Sequence, residues 1–247
     1  MVKSAWESKQ GPVVFIAIPN KGTVDSLWAA RFAELLRASP PCHVKMSEAP
    51  VVDWARNVLV EDFLTNFEDT DWLFFLDSDV LPPPDAIQKL MAKNLPIVSG
   101  LYRARNPAFS QDSHGWPIVA GRFVKEKHDN REDLRVQEFG EFRPGEVFAV
   151  DAVGMGCVLI HRKVFEKIIP PWFFYSIRYE HVKDTDAYQR EDWISEDWYF
   201  FKKVKEAGFP VYLDTTVCCG HQTLVEITWD GHIKGKGGYM DQGRLQK

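Results

Sequence analysis

The chain has 247 residues, of which 45% are hydrophobic and 26% charged, and a formal net charge of -5. That composition belongs to a folded globular protein with room for one well-buried core, not to a disordered or fibrous chain. The acidic balance argues against broad electrostatic binding to duplex nucleic acid or an anionic membrane, though not against a local phosphate pocket.

Val13 to Ile18 is a short apolar, β-branched run ending at Pro19-Asn20, and it reads as a buried parallel strand. Trp28, Phe32, Leu35 and Leu36 then share one helical face, and the helix stops before Pro40-Pro41. Val44 to Met46 reads as a second strand. Val51, Trp54, Ala55, Val58, Leu59 and Phe63 follow helical spacing. Asp71 to Leu76 is a strand that runs into Asp77-Ser78-Asp79, and Pro82-Pro83-Pro84 breaks the chain after it. A helix carries Ile87, Leu90 and Met91, and Pro96 to Ser99 is another strand. This alternation predicts an α/β fold with a mostly parallel sheet and helices on both faces.

From Gly100 to Phe148 glycine, proline and charge are frequent, which predicts short antiparallel strands and loops. Val150 to Ile160 is again buried and apolar, interrupted by Gly154 and Gly156. A short helix is expected over Lys163 to Ile168. Pro170 to Trp193 reads as a long aromatic loop, a candidate ligand platform or a satellite hydrophobic cluster. Ser195 to Ala207 reads as a helix stopped by Gly208, and Val211 to Leu213 as a last strand. The tail from Gly231 is rich in glycine and charge.

The chemistry concentrates at Asp77 and Asp79. Two acids separated by one residue, at the carboxyl end of a buried strand, can turn toward one point, where their repulsion is relieved by a hard divalent cation such as Mg²⁺ or Mn²⁺. A solvated acidic turn is the plain alternative. Haloacid dehalogenase-type phosphatases place a similar pair on their first strand and follow it with Thr or Val; here the strand is not the first and the matching position is Leu81.

Taken in order, several segments resemble the GT-A glycosyltransferases, in particular the family 2-like group. They are Val-Val-Phe-Ile-Ala-Ile-Pro-Asn, Ala55-Arg56-Asn57, Trp-Leu-Phe-Phe-Leu-Asp-Ser-Asp-Val, Val-Ser-Gly-Leu-Tyr, Asp151-Ala-Val-Gly-Met-Gly-Cys-Val-Leu-Ile, Ser195-Glu-Asp-Trp and Gly220-His221, and they span most of the chain. The resemblance implies a Rossmann-like GT-A domain over residues 1–247. Its nucleotide-binding half would cover about 11–100, its acceptor half about 101–225, and a tail 226–247.

The resemblance also implies roles. Asp77 and Asp79 would bind ribose and metal, with His221 as a third ligand. Pro19 and Asn20 would line the nucleoside pocket. Arg56 would reach the base or the diphosphate, where a guanidinium can bond two oxygens at once. Gly154 and Gly156 would let backbone approach the donor sugar. Asp197 would be the base and Glu196 its neighbour in orienting the acceptor, although acids behind a Ser195 N-cap also stabilise a helix with no catalytic duty. The expected partners are a nucleoside-diphosphate sugar and an acceptor hydroxyl, with Mn²⁺ or Mg²⁺ as cofactor and inversion expected ahead of retention. A nucleotidyltransferase and a non-catalytic sugar-binding module stay open. The former would normally carry a glycine-rich basic loop after the first strand, where this chain has only Lys21-Gly22.

The setting is expected to be cytoplasmic. Cys42, Cys157, Cys218 and Cys219 form no CxxC pair, the opening residues lack the apolar core of a signal peptide, and no apolar run is long enough to span a bilayer.

Overall fold

The structure, a computed structural model, describes residues 13–104, 118–128, 131–138, 143–181, 188–223, 225–227, 233–235 and 238–239. Strand β1 (Val14–Asn20) is buried along its whole length, because it pairs in parallel with β2 (Cys42–Glu48) on one side and β3 (Trp72–Leu76) on the other. Between them run α1 (Ser26–Ala38) and α2 (Val52–Asn66). The Asp25 carboxylate caps α1 by accepting the Leu27 N–H at 2.8 Å. Next come the two-residue strand β4 (Val80–Leu81), α3 (Ala86–Ala92) and β5 (Ile97–Leu101).

The second half begins with a hairpin, β6 (Ala120–His128) and β7 (Arg131–Glu138). It continues through β8 (Val147–Val150), β9 (Ala152–Val153), β10 (Cys157–His161) and α4 (Arg162–Lys167). After β11 (Ser176–His181) and β12 (Tyr188–Ile194) come α5 (Glu196–Glu206), β13 (Val211–Cys218) and β14 (Gly220–His221). Gly208 ends α5 with a positive φ of 81°, the left-handed stop that glycine adopts without a side-chain clash.

The central sheet has seven strands in the order β2-β1-β3-β10-β5-β13-β8. Within it β10 and β8 run against the other five. Period-two alternation splits the core between its faces. Phe15, Ala17, Leu73 and Phe75 join the side of α2, α4 and α5, while Val14, Ile16, Ile18, Phe74 and Leu76 join Trp28 of α1 and Ile87 and Leu90 of α3. Helices therefore cover both faces, as the element order predicts.

Three features were not specified by the pattern. The parallel run of the first hundred residues is not continuous, because β10 inserts antiparallel between β3 and β5. The stretch 170–193 is not a loop throughout: β11 and β12 pair as an antiparallel hairpin. The tail contains paired strands at Val225–Ile227, Ile233–Gly235 and Gly238–Tyr239.

Candidate functional site

The turn after β3 is held from three directions. The Asp77 N–H donates to the Gly156 carbonyl at 3.1 Å, and the Asp77 carbonyl accepts the Trp28 indole N–H at 3.0 Å. The Asp79 carbonyl accepts the Gln222 N–H at 2.8 Å. Behind Gln222, β14 pairs with β4, which sets His221 opposite Val80. The Gln222 amide then reaches back to the cap of α1, donating to Asp25 at 2.9 Å.

Arg56 of α2 gathers the acids. Its Nη2 donates to both carboxylate oxygens of Asp77, at 3.0 and 3.1 Å. Its Nη1 lies 2.5 Å from Asp197 Oδ1 and 3.4 Å from Glu196 Oε1. Phe75 and Phe173 flank the guanidinium at 6.0 and 5.9 Å. Arg56 is only 2% exposed, and its Nε has no hydrogen-bond partner among the described residues. Burial opposes the guanidinium's charge, but Asp77, Asp197 and Glu196 outweigh it and hold the group above its ordinary pKa. Both terminal nitrogens of Arg56 thus meet carboxylates.

The acids respond unequally. Burial pushes Asp197 up to about 8 against the pull of Arg56, with Glu196 and Asp77 adding to the rise. Burial also raises Asp77, with Arg56 opposing and Asp79 reinforcing. Asp197 and Glu196 occupy the first turn of α5 behind Ser195, whose hydroxyl accepts the Trp198 N–H at 3.4 Å. The second Asp197 oxygen accepts the Met155 N–H at 3.3 Å.

Asp79 faces a different partner. Its Oδ1 is 3.5 Å from His221 Nε2, and His221 Nδ1 lies 2.7 Å from the Arg103 carbonyl. A carbonyl can only accept, so Nδ1 carries the proton and, in the neutral ring, Nε2 turns a lone pair toward a carboxylate. Two acceptors in that relation are suited to a cation between them. An ion bonded at about 2.1 Å to each atom spans up to roughly 4.2 Å, and a metal-bound histidine normally donates its other N–H in this way. Among the described residues no group of three or more His, Cys, Asp or Glu is placed to hold an ion. Asp77, the other acid of the pair, accepts from Arg56 at both oxygens, and the guanidinium supplies a countercharge.

Pro19 and Asn20 lie buried at the carboxyl end of β1. The Asn20 side-chain oxygen accepts the Gly22 N–H, and Gly22 takes a φ of 99° to close that turn. Gly154 and Gly156 are shaped by Tyr102. A Cβ at Gly154 would stand 2.0 Å from the Tyr102 hydroxyl, and one at Gly156 would stand 2.7 Å from Val80 Cγ2. That hydroxyl accepts the Gly156 N–H at 3.0 Å.

Sequence reasoning gave no role to Tyr102 or Asn57, although both stand inside quoted segments. Asn57 accepts the N–H groups of Trp172 and Phe173 and donates to the Phe173 carbonyl at 2.7 Å, which seats Phe173 under Arg56. Of the aromatic stretch, Trp172 and Phe173 are core, while Phe174 and Tyr175 remain exposed; the side chains of Tyr179, Tyr188 and Trp193 lie outside the described residues.

No family model and no curated protein matches this chain. Solved structures do. The protein A197 from STIV superposes with a TM-score of 0.56 at 20% identity, over 96% of this chain and 99% of that one. GalNAc-T7, solved with UDP, GalNAc and Mn²⁺, superposes with a TM-score of 0.53 at 12% identity, over 85% of this chain and 43% of that one. The chain has a glycosyltransferase-like fold. It spans less than half the length of GalNAc-T7. In such an open α/β sheet ligands lie beyond the carboxyl ends of the strands, and Asn20 and Asp77 stand at two of those ends. No helix among the described residues is long and apolar enough to cross a membrane.

Proposed function

We propose that this protein is a metal-dependent glycosyltransferase, moving a sugar from a nucleoside-diphosphate sugar to an acceptor hydroxyl. The observation that carries the reading is the approach of Asp79 Oδ1 and His221 Nε2 to 3.5 Å beside the Arg56-bound acids. That pair fits Mn²⁺ or Mg²⁺, and the Mn²⁺ and UDP of GalNAc-T7 accompany a similar fold. Asp79 and His221 would hold the ion, with Asp77 toward the ribose. When bound, the ion neutralises charge on the departing diphosphate. Pro19 and Asn20 line the nucleoside pocket, residues of about 11–100 form the donor half, and about 101–225 the acceptor half.

Asp197 takes the acceptor's proton. A carboxylate whose pKa is raised to about 8 is a stronger base than an exposed one, and Met155 and Arg56 fix its two oxygens. Glu196 orients the acceptor from the same helical turn. Gly154 and Gly156 bring backbone close to the sugar. In-line attack inverts the anomeric centre, which the configuration of the product reports.

The test is a thermal-shift series with UDP, GDP, CDP, ADP and TDP, each with and without MnCl₂, followed by donor hydrolysis. One nucleotide should stabilise the protein only with Mn²⁺, by about 2.7 kcal/mol at a hundredfold excess over Kd. Asp79→Ala should abolish both that stabilisation and turnover. Full activity in the Asp79→Ala protein, or stabilisation indifferent to Mn²⁺, contradicts the proposal.

A further inference from the structure

We infer that Tyr102 is a positioning residue that ties the Asp197 carboxylate to the Asp79–His221 pair through the turn 154–156. Its place in catalysis rests on the function proposed above; its place in the geometry does not.

Tyr102 follows β5 and is 6% exposed. Its hydroxyl is the acceptor of the buried Gly156 N–H at 3.0 Å. Besides the Gly154 N–H, which donates to the Val119 carbonyl at 2.9 Å, the turn so held makes two bonds to acids of the site. The Met155 N–H grips Asp197 at 3.3 Å, and the Gly156 carbonyl grips the Asp77 N–H at 3.1 Å. On its other side the Tyr102 ring meets the His221 ring edge-on, with centroids 5.3 Å apart and planes at 90°. One side chain thus touches both halves of the site: the hydroxyl acts on the base and on the start of the acidic turn, and the ring acts on the histidine.

The glycines are the counterpart of this arrangement. A side chain at Gly154 would collide with the Tyr102 hydroxyl at 2.0 Å, so the turn is glycine-rich where the tyrosine must reach it. Phenylalanine would fill the same space yet leave the Gly156 N–H buried without its acceptor.

Two variants separate the contributions. Tyr102→Phe keeps the ring and removes the hydroxyl; Tyr102→Leu removes both. Amide hydrogen exchange, followed by NMR on the full chain without nucleotide or metal, should quicken at Gly156, Met155 and Asp77 by about tenfold or more in Tyr102→Phe. In steady-state assays that variant should lose about 10- to 100-fold in kcat, with the donor KM within about twofold, as expected for a displaced base. Its half-saturating Mn²⁺ concentration should match the wild type, whereas that of Tyr102→Leu should rise several-fold. Unchanged exchange at Met155 and Asp77 in Tyr102→Phe overturns the inference, and so does equal Mn²⁺ dependence in the two variants. A wild-type protein that turns over no donor would instead count against the proposed function, and the exchange data would still decide the role of Tyr102.

Discussion

Replacing Arg56 with methionine keeps most of the side chain's volume and removes its charge. Three acids then face one another without a countercharge: Asp77, formerly 3.0 Å from the guanidinium, Asp197 at 2.5 Å and Glu196 at 3.4 Å. At an effective dielectric near 20, each close contact is worth about 5–7 kcal/mol gross, and desolvation offsets most of it. Removing one partner of a buried pair leaves the desolvation cost unanswered, and the measured result is typically about 3–5 kcal/mol. For a chain of this size that is a drop of roughly 6–20 °C in Tm.

The sign of the pH dependence follows. Burial already holds Asp77 and Asp197 above the ordinary carboxylate value against the pull of Arg56, and removing Arg56 raises them further, so the folded state prefers them protonated. The penalty is absent below the unfolded carboxylate range, grows as pH rises, and is complete only above the folded values, which for Asp197 lie above about 8. Calorimetric melts of wild type and Arg56→Met at pH 7.5 and pH 5 measure both effects. A Tm within about 2 °C of wild type at pH 7.5, or a gap no smaller at pH 5, would refute the picture of Arg56 as the charge that holds the acids together.

Glu196→Gln removes a negative neighbour that raises Asp197, so Asp197 should ionise more readily. The acid limb of the kcat/KM profile, expected near pH 8 in the wild type, should move to lower pH; a limb that stays put or moves up excludes Asp197 as the group it reports. Arg162→Met should cost about 3 kcal/mol in urea unfolding while sparing activity in the cold, because Arg162 donates to the carbonyls of Phe63, Phe67 and Thr70 where α2 ends and lies outside the site. A midpoint unchanged by that substitution would show that water replaces the guanidinium at no cost.

What was legible in the chain is what local chemistry dictates. Alternation places Phe15 and Phe75 on one face and Ile16 and Phe74 on the other. Prolines and Gly208 stop helices, Ser195 starts one, and the acids after Trp-Leu-Phe-Phe-Leu stand at a strand's carboxyl end. These are decided within a few residues, so the sequence alone carries them. The pairings were not legible. The bond from Arg56 to Asp197 joins residues 141 positions apart, and nothing near Arg56 announces that it meets carboxylates. The antiparallel seat of β10 depends on which edge β3 and β5 leave open. The Gly156 N–H meets the hydroxyl of Tyr102, 54 positions away, and nothing near the glycines announces it. Such choices rest on competition among distant partners for the same buried acceptors and volume, and only the assembled tertiary structure resolves it.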